Sequence, residues 1–88
     1  MSQELPTIGE QRVRVSFNPS SNPIVDEIKK QAAALIDLCE SLKDTYDGKP
    51  NEKNRAFAVA QTEIESAAMW AVKGATYVSP PPATADLA

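Results

Sequence analysis

The chain alternates between stretches of distinct hydrophobic rhythm. From Pro23 to about Asp44, apolar residues fall at Ile24, Ile28, Ala32, Leu35, Ile36, Cys39 and Leu42. Steps of three and four make one stripe on a helix, which Val25 and Leu38 widen. Asn22 is a good N-cap, Pro23 suits the first helical position, and Asp26 and Glu27 complement the helix dipole. Tyr46 to Asn51, with Gly48 and Pro50, is a break short enough to join antiparallel neighbours. A second long helix is predicted from about Glu52 to Thr76. It is rich in alanine, which favours helix and lets helices approach closely.

Within that second helix, Ala67-Ala68-Met69-Trp70-Ala71-Val72 forms an unbroken apolar run. Six consecutive helical positions cover every side, so this belt is enclosed from several directions, whereas a surface helix needs only a stripe. A two-helix chain has few elements with which to enclose it. The expected partners are further copies of the chain, with Ala67, Met69, Trp70 and Ala71 at the oligomer interface.

Ahead of the first long helix, Arg12-Val13-Arg14-Val15-Ser16-Phe17 alternates polar with apolar. It reads as an extended segment lying on the helices, valines inward and arginines outward. Residues 1–11, with Pro6 and Gly9, read as a mobile arm, residues 12–78 as the domain, and the Pro-rich residues 79–88 as a disordered tail. The fold class expected is therefore all-α: an antiparallel two-helix hairpin with an extended N-terminal arm, assembled into a homo-oligomer.

Composition narrows the function classes. Of 88 residues, 42% are hydrophobic and 24% charged, a globular balance. The net charge of −3 argues against non-specific binding of DNA or RNA polymers. No stretch is apolar for long enough to span a membrane, and the first residues lack a secretory pattern. Cys39 is the single cysteine, which fits a reducing cytoplasm. Histidine is absent, which removes the commonest general base and metal ligand. There is no glycine-rich phosphate loop. The sequence thus points to no catalytic residue, no metal and no cofactor, and an enzyme is not expected.

What remains is a locally basic stretch. Arg12 and Arg14 precede the turn, Ser20, Ser21 and Asn22 cap the helix, and Lys29 and Lys30 follow. Arginine forks grip phosphate or stack on bases, so the stretch can form an anion site. It can equally be solvated, with the arginines paired to Asp26, Glu27 or a neighbour's acids. Phe17 carries the same alternatives: a plug that holds the arm down, or a platform for a base. Gln61, Thr62, Glu65 and Ser66 either cross-link subunits or line a cavity between them.

Two segments carry a family resemblance: Arg12 to Ser20 with Val25-Asp26-Glu27-Ile28-Lys29, and Ala60 to Lys73. Together they resemble the small phage helical-hairpin proteins of the anti-CBASS sponge family, whose hairpin is shared with a type of Thoeris anti-defence protein. The resemblance implies a homohexamer in the host bacterial cytoplasm that sequesters cyclic oligonucleotide immune signals without cleaving them. It implies a cyclic dinucleotide site between protomers, with Lys29 at the position of a ligand-binding lysine and either Arg14 or Phe17 in place of a stacking aromatic. Arg12 and Asn18 lie in the same motif. It also implies a cyclic trinucleotide site on threefold axes, for which Arg55, Gln61 and Thr62 are placed only by position. The alternative is a non-enzymatic hairpin module that docks on another protein. If the apolar belt is sheltered by copies of the chain, native mass spectrometry will report multiples of the 9.5 kDa protomer at micromolar concentration.

Overall fold

The computed structural model describes residues 5–44 and 51–78. Three helices follow in order: α1 (Ile8–Val13), α2 (Pro23–Leu42) and α3 (Glu52–Ala75). The described residues contain no strand. The two long helices start and stop within two residues of the positions expected from the sequence. The Asn22 side chain accepts from the Ile24 N–H at 2.8 Å, with Pro23 in the first turn. Asn51 caps α3 by accepting from the Asn54 N–H at 2.7 Å.

The two form an antiparallel hairpin, and cross-links at three levels fix the register. At one end Asn54 brackets Asp44, accepting from its N–H at 2.8 Å and donating to its carbonyl at 3.1 Å. In the middle the Gln61 amide donates to the Ile36 carbonyl at 3.1 Å. At the far end the Asn22 amide reaches the Ala75 carbonyl at 3.4 Å.

The extended segment expected at Arg12 to Phe17 is corrected: Arg12 and Val13 end a helix over residues 8–13, and the residues after them turn back. Thr7 and Glu10 form a capping box, Thr7 Oγ1 accepting from the Glu10 N–H at 3.0 Å and Glu10 Oε1 from the Thr7 N–H at 2.9 Å. That reciprocal pair satisfies two backbone donors and starts a helix in a stretch whose alternating valines suggest extension. Residues 8–11, expected in the mobile arm, thus belong to α1. Residues 1–4, the linker at 45–50 and the tail from 79 onward lie outside the described residues.

α1 docks across the hairpin through Gly9. Its N–H donates to Asp37 Oδ1 at 2.7 Å, and a Cβ there would overlap the Ala33 carbonyl oxygen. Only glycine permits this approach. Val13 then joins Ala33, Ile36 and Ala68 in the core, with Val15, Ile28, Ala32 and Ile64 packed around them.

The inner face of α2 is consequently Val25, Lys29, Ala33, Ile36 and Cys39, rotated from the stripe expected. Ile24, Leu35, Leu38 and Leu42 stay about half exposed. Among the described residues the belt, whose enclosure is expected from other copies of the chain, stays largely open. Ala68 is buried and Val72 half-buried, whereas Met69 and Trp70 are each 67% exposed. Trp70 fills no cavity in the protomer; the Lys73 ammonium lies 4.8 Å from its ring centre. The buried interior instead takes Gln61, at 1% exposure.

The Gln61 amide also donates to Glu40 Oε1 at 3.0 Å, and Lys43 reaches the same oxygen at 3.1 Å. These hydrogen bonds, that of Gln61 first, hold the Glu40 carboxyl below the ordinary glutamate value against the opposing effect of burial. A depressed carboxyl stabilises the fold above its unfolded pKa and loses that contribution as pH falls through the folded value. Acid titration of unfolding stability should show this loss below the ordinary glutamate range, and Glu40→Gln should flatten that part of the curve. Gly9→Ala should lower stability by about 1–3 kcal/mol by forcing α1 off α2, read in chemical denaturation.

Candidate functional site

α1 ends in a tight reversal that carries most of the candidate residues. Arg14 takes the left-handed conformation, φ 56° and ψ 57°, and caps the helix through its N–H. The Phe17 N–H donates to the Arg14 carbonyl at 2.8 Å, which folds the chain back so that the Arg14 guanidinium stacks 4.3 Å from the Phe17 ring centre. Phe17 remains 49% exposed. It is no buried plug, and its exposed ring forms a wall shared by three shallow grooves.

One of them, about 290 Å³, lies between this reversal and α3. Arg12, Val13, Arg14, Phe17 and Lys29 form one wall; Glu65, Ala68, Met69 and Val72 form the other. Four of the five residues expected at a cyclic dinucleotide site therefore do converge. The fifth, Asn18, lines the neighbouring groove with Ser20, Val25 and Thr76. Its amide is committed within the chain, donating to the Asn22 carbonyl at 2.8 Å and to Asp26 Oδ1 at 3.0 Å, while its own oxygen accepts from Ser20 Oγ at 2.7 Å. Asn18 thus shapes the turn.

Arg12 is also partly committed. Its Nε donates to Glu65 Oε1 at 2.8 Å and its terminal nitrogen to Thr62 Oγ1 at 3.3 Å. Its acid is therefore in its own chain, on α3, and is neither Asp26 nor Glu27. Pairing cancels the Arg12 charge and leaves Arg14 as the guanidinium that faces the groove without a carboxylate partner among the described residues. Lys29 is 8% exposed, and its ammonium donates to the carbonyls of Arg14, at 3.1 Å, and Phe17. Burial first, and the nearby Arg14 charge second, push its pKa below the ordinary lysine value, with Asp26 opposing.

The three residues placed by position at a trinucleotide site all lie on α3 and differ in their surroundings. Gln61 is sealed between α2 and α3 with its amide spent on Ile36 and Glu40, a correction to its expected role as a ligand contact. Thr62 supports Arg12, and its hydroxyl donates to the Ala58 carbonyl at 3.2 Å. Arg55 projects from the first turn of α3, its side chain 71% exposed and 3.9 Å from Glu52. Ala67, Met69, Trp70 and Ala71 all face outward in the protomer.

Glu65, Met69 and Val72 complete the groove beyond what the site motif indicates. The signal for Glu65 is the arginine itself, since a half-buried guanidinium requires a counter-charge. Chemically the groove offers an aromatic face backed by a cation, an apolar floor and one neutralised ion pair. No grouping of metal-binding side chains occurs among the described residues. No helix there is long and apolar enough to cross a membrane.

Comparison with known proteins gives one finding. Residues 8–76 match the family model described as the Acb2/Tad1 hairpin domain. No curated protein and no solved structure matches the chain. The match begins at the first residue of α1 and ends one residue past α3, taking in the reversal and both long helices. The chain belongs to the Acb2/Tad1 hairpin domain family.

Proposed function

We propose that the protein is a phage anti-defence sponge that holds cyclic oligonucleotide signals, cyclic dinucleotides foremost, and releases them chemically unchanged. Family membership supports the general role, and the Arg14–Phe17 stack beside a concave groove carries the reading. A nucleotide presents a flat base joined to an anionic linker. The exposed Phe17 ring suits the first, because any base can stack on an aromatic face. The Arg14 guanidinium suits the second, because its planar fork donates parallel hydrogen bonds to phosphate oxygens. A chain without histidine offers no imidazole for phosphodiester cleavage, and trapping requires none.

The proposal includes self-association, with a hexamer as the assembly implied by the family resemblance, in the host bacterial cytoplasm. The exposed Met69 and Trp70 support it, together with the half-exposed row of Ile24, Leu35, Leu38 and Leu42 on the outer face of α2. Met69 also lines the groove, so an interface at Ala67, Met69, Trp70 and Ala71 would border the ligand site. The same row supports the alternative of a module docked on another protein.

Thermal melting separates these readings. At about 100 times its Kd, a bound ligand raises stability by about 2.7 kcal/mol. Cyclic dinucleotides or trinucleotides should therefore raise the melting temperature, and Arg14→Ala should diminish the rise without lowering the oligomer mass. Heat denaturation of the complex should return intact cyclic nucleotide by chromatography. The absence of a shift with every cyclic nucleotide would favour the docking module, and linear product would reveal an enzyme.

A further inference from the structure

Glu65 faces the groove from the wall opposite the Arg14–Phe17 stack, and one oxygen of its carboxylate is uncommitted. On α3 it heads the line Glu65, Ala68, Met69 and Val72, whose steps of three and four turn one helix face toward the groove. It is the one charged residue on that wall, and the charges across from it, on Arg12, Arg14 and Lys29, are all positive. Arg12 reaches Oε1 with both its Nε and a terminal nitrogen, each at 2.8 Å. Among the described residues no donor reaches Oε2. The side chain is 35% exposed, so a molecule seated in the groove can meet that oxygen.

A carboxylate oxygen beside the apolar Val13, Ala68 and Val72 demands a donor. Water can serve, and a ligand that displaces the water must bring a donor of its own. Phe17 and Glu65 line the groove from opposite walls, so a base laid against the ring turns an edge toward the carboxylate. Bases differ at that edge. Guanine carries N1–H and the N2 amino group side by side, two donors that can converge on Oε2 or span both oxygens. Adenine carries one amino group beside an acceptor nitrogen, whose lone pair would face the negative charge. A site built to bond a donor edge rejects an analogue lacking it, because its own polar group is then left unpaired.

We propose that Glu65 selects the base of the bound nucleotide, accepting guanine by its Watson–Crick edge and rejecting adenine, while the cationic wall opposite takes the phosphates. The assignment rests on the sponge reading of the same groove and adds the base class to it. Arg12, backed by Thr62, holds the carboxylate in place before the ligand arrives, so selection requires little reordering of the side chain.

Calorimetry with three probes tests the assignment: cyclic di-GMP, cyclic di-IMP, which keeps N1–H but lacks the amino group, and cyclic di-AMP. Wild-type protein should bind them in that order of decreasing affinity. About ten- to a hundredfold should separate the first from the last, the range of a hydrogen bond to a charged group. Glu65→Gln keeps the size of the side chain and an oxygen for Arg12, and should bring cyclic di-GMP and cyclic di-AMP within about threefold of each other. Glu63→Gln, at an exposed carboxylate outside the groove, should leave the wild-type ratio intact. If Glu65→Gln fails to fold, Glu65→Asp, which draws the oxygens back by one methylene, takes its place with the same expectation. Equal affinities in wild-type protein, a preference for adenine, or an unchanged ratio in the folded Glu65 variant would overturn the assignment and leave the sponge reading standing. Binding of none of the three by wild-type protein would remove the cyclic dinucleotide reading itself, and the assignment with it.

Discussion

The close approach of α1 to α2 at Gly9 is the contact on which the rest of the molecule depends. Two antiparallel helices alone share a single seam and leave its sides open. A short third helix laid across that seam closes one side, but only if backbone meets backbone, as at Gly9 against the Ala33 carbonyl. The Gly9 N–H then finds Asp37, Val13 reaches Ile36 and Ala68, and Arg12 comes within reach of Glu65. The reversal that follows is therefore delivered to the mouth of the hairpin, where Arg14 and Phe17 face α3. Fold and candidate site are consequences of one docking event.

The long helices were legible because their ends are written in local chemistry: Asn22-Pro23 at one start and Asn51 at another need no tertiary information. α1 was hidden by its length. Six residues hold too little periodicity to oppose the alternation of Val13, Val15 and Phe17, and its one clear signal, Thr7 with Glu10, is a capping box easily passed over. The stripe on α2 was misplaced for a different reason. Side-chain size suggests that Ile24, Leu35 and Leu42 go inward, whereas the intruding α1 backbone demands a small residue, so Ala33 faces in and the larger residues face out. The grouping of most candidate residues was readable, since the basic stretch does converge. The commitments of its members were not: the Arg12–Glu65 pair joins residues 53 positions apart, and the burial of Gln61 depends on the hairpin register.

The protomer also departs from the usual partition of residues at several positions. A lysine and a glutamine lie among its most buried side chains, while a tryptophan, a methionine and several leucines face outward. Each buried polar group is answered: Gln61 by Ile36 and Glu40, Lys29 by the two carbonyls of the reversal. Buried polar groups with their partners in place specify one register, because a slip would strand them. Among the described residues Met69, Trp70 and the outward leucines of α2 have no comparable enclosure. In this arrangement polar bonds fix the register around a small apolar core, and much of the remaining hydrophobic surface stays exposed.

The segment from Arg14 to Ser21 is bounded by two residues in the left-handed region, with φ of 56° and 54°. Between them nearly every link is internally bonded: Phe17 to Arg14, Ser21 to Asn18, Ser20 to Asn18, and Asn18 onward to α2. A recognition loop that must freeze on contact surrenders conformational entropy at that moment and weakens its own grip. Here that entropy is already lost when the chain folds. An incoming molecule would meet a preorganised surface, and differences in affinity among ligands would be expressed mainly as differences in residence time.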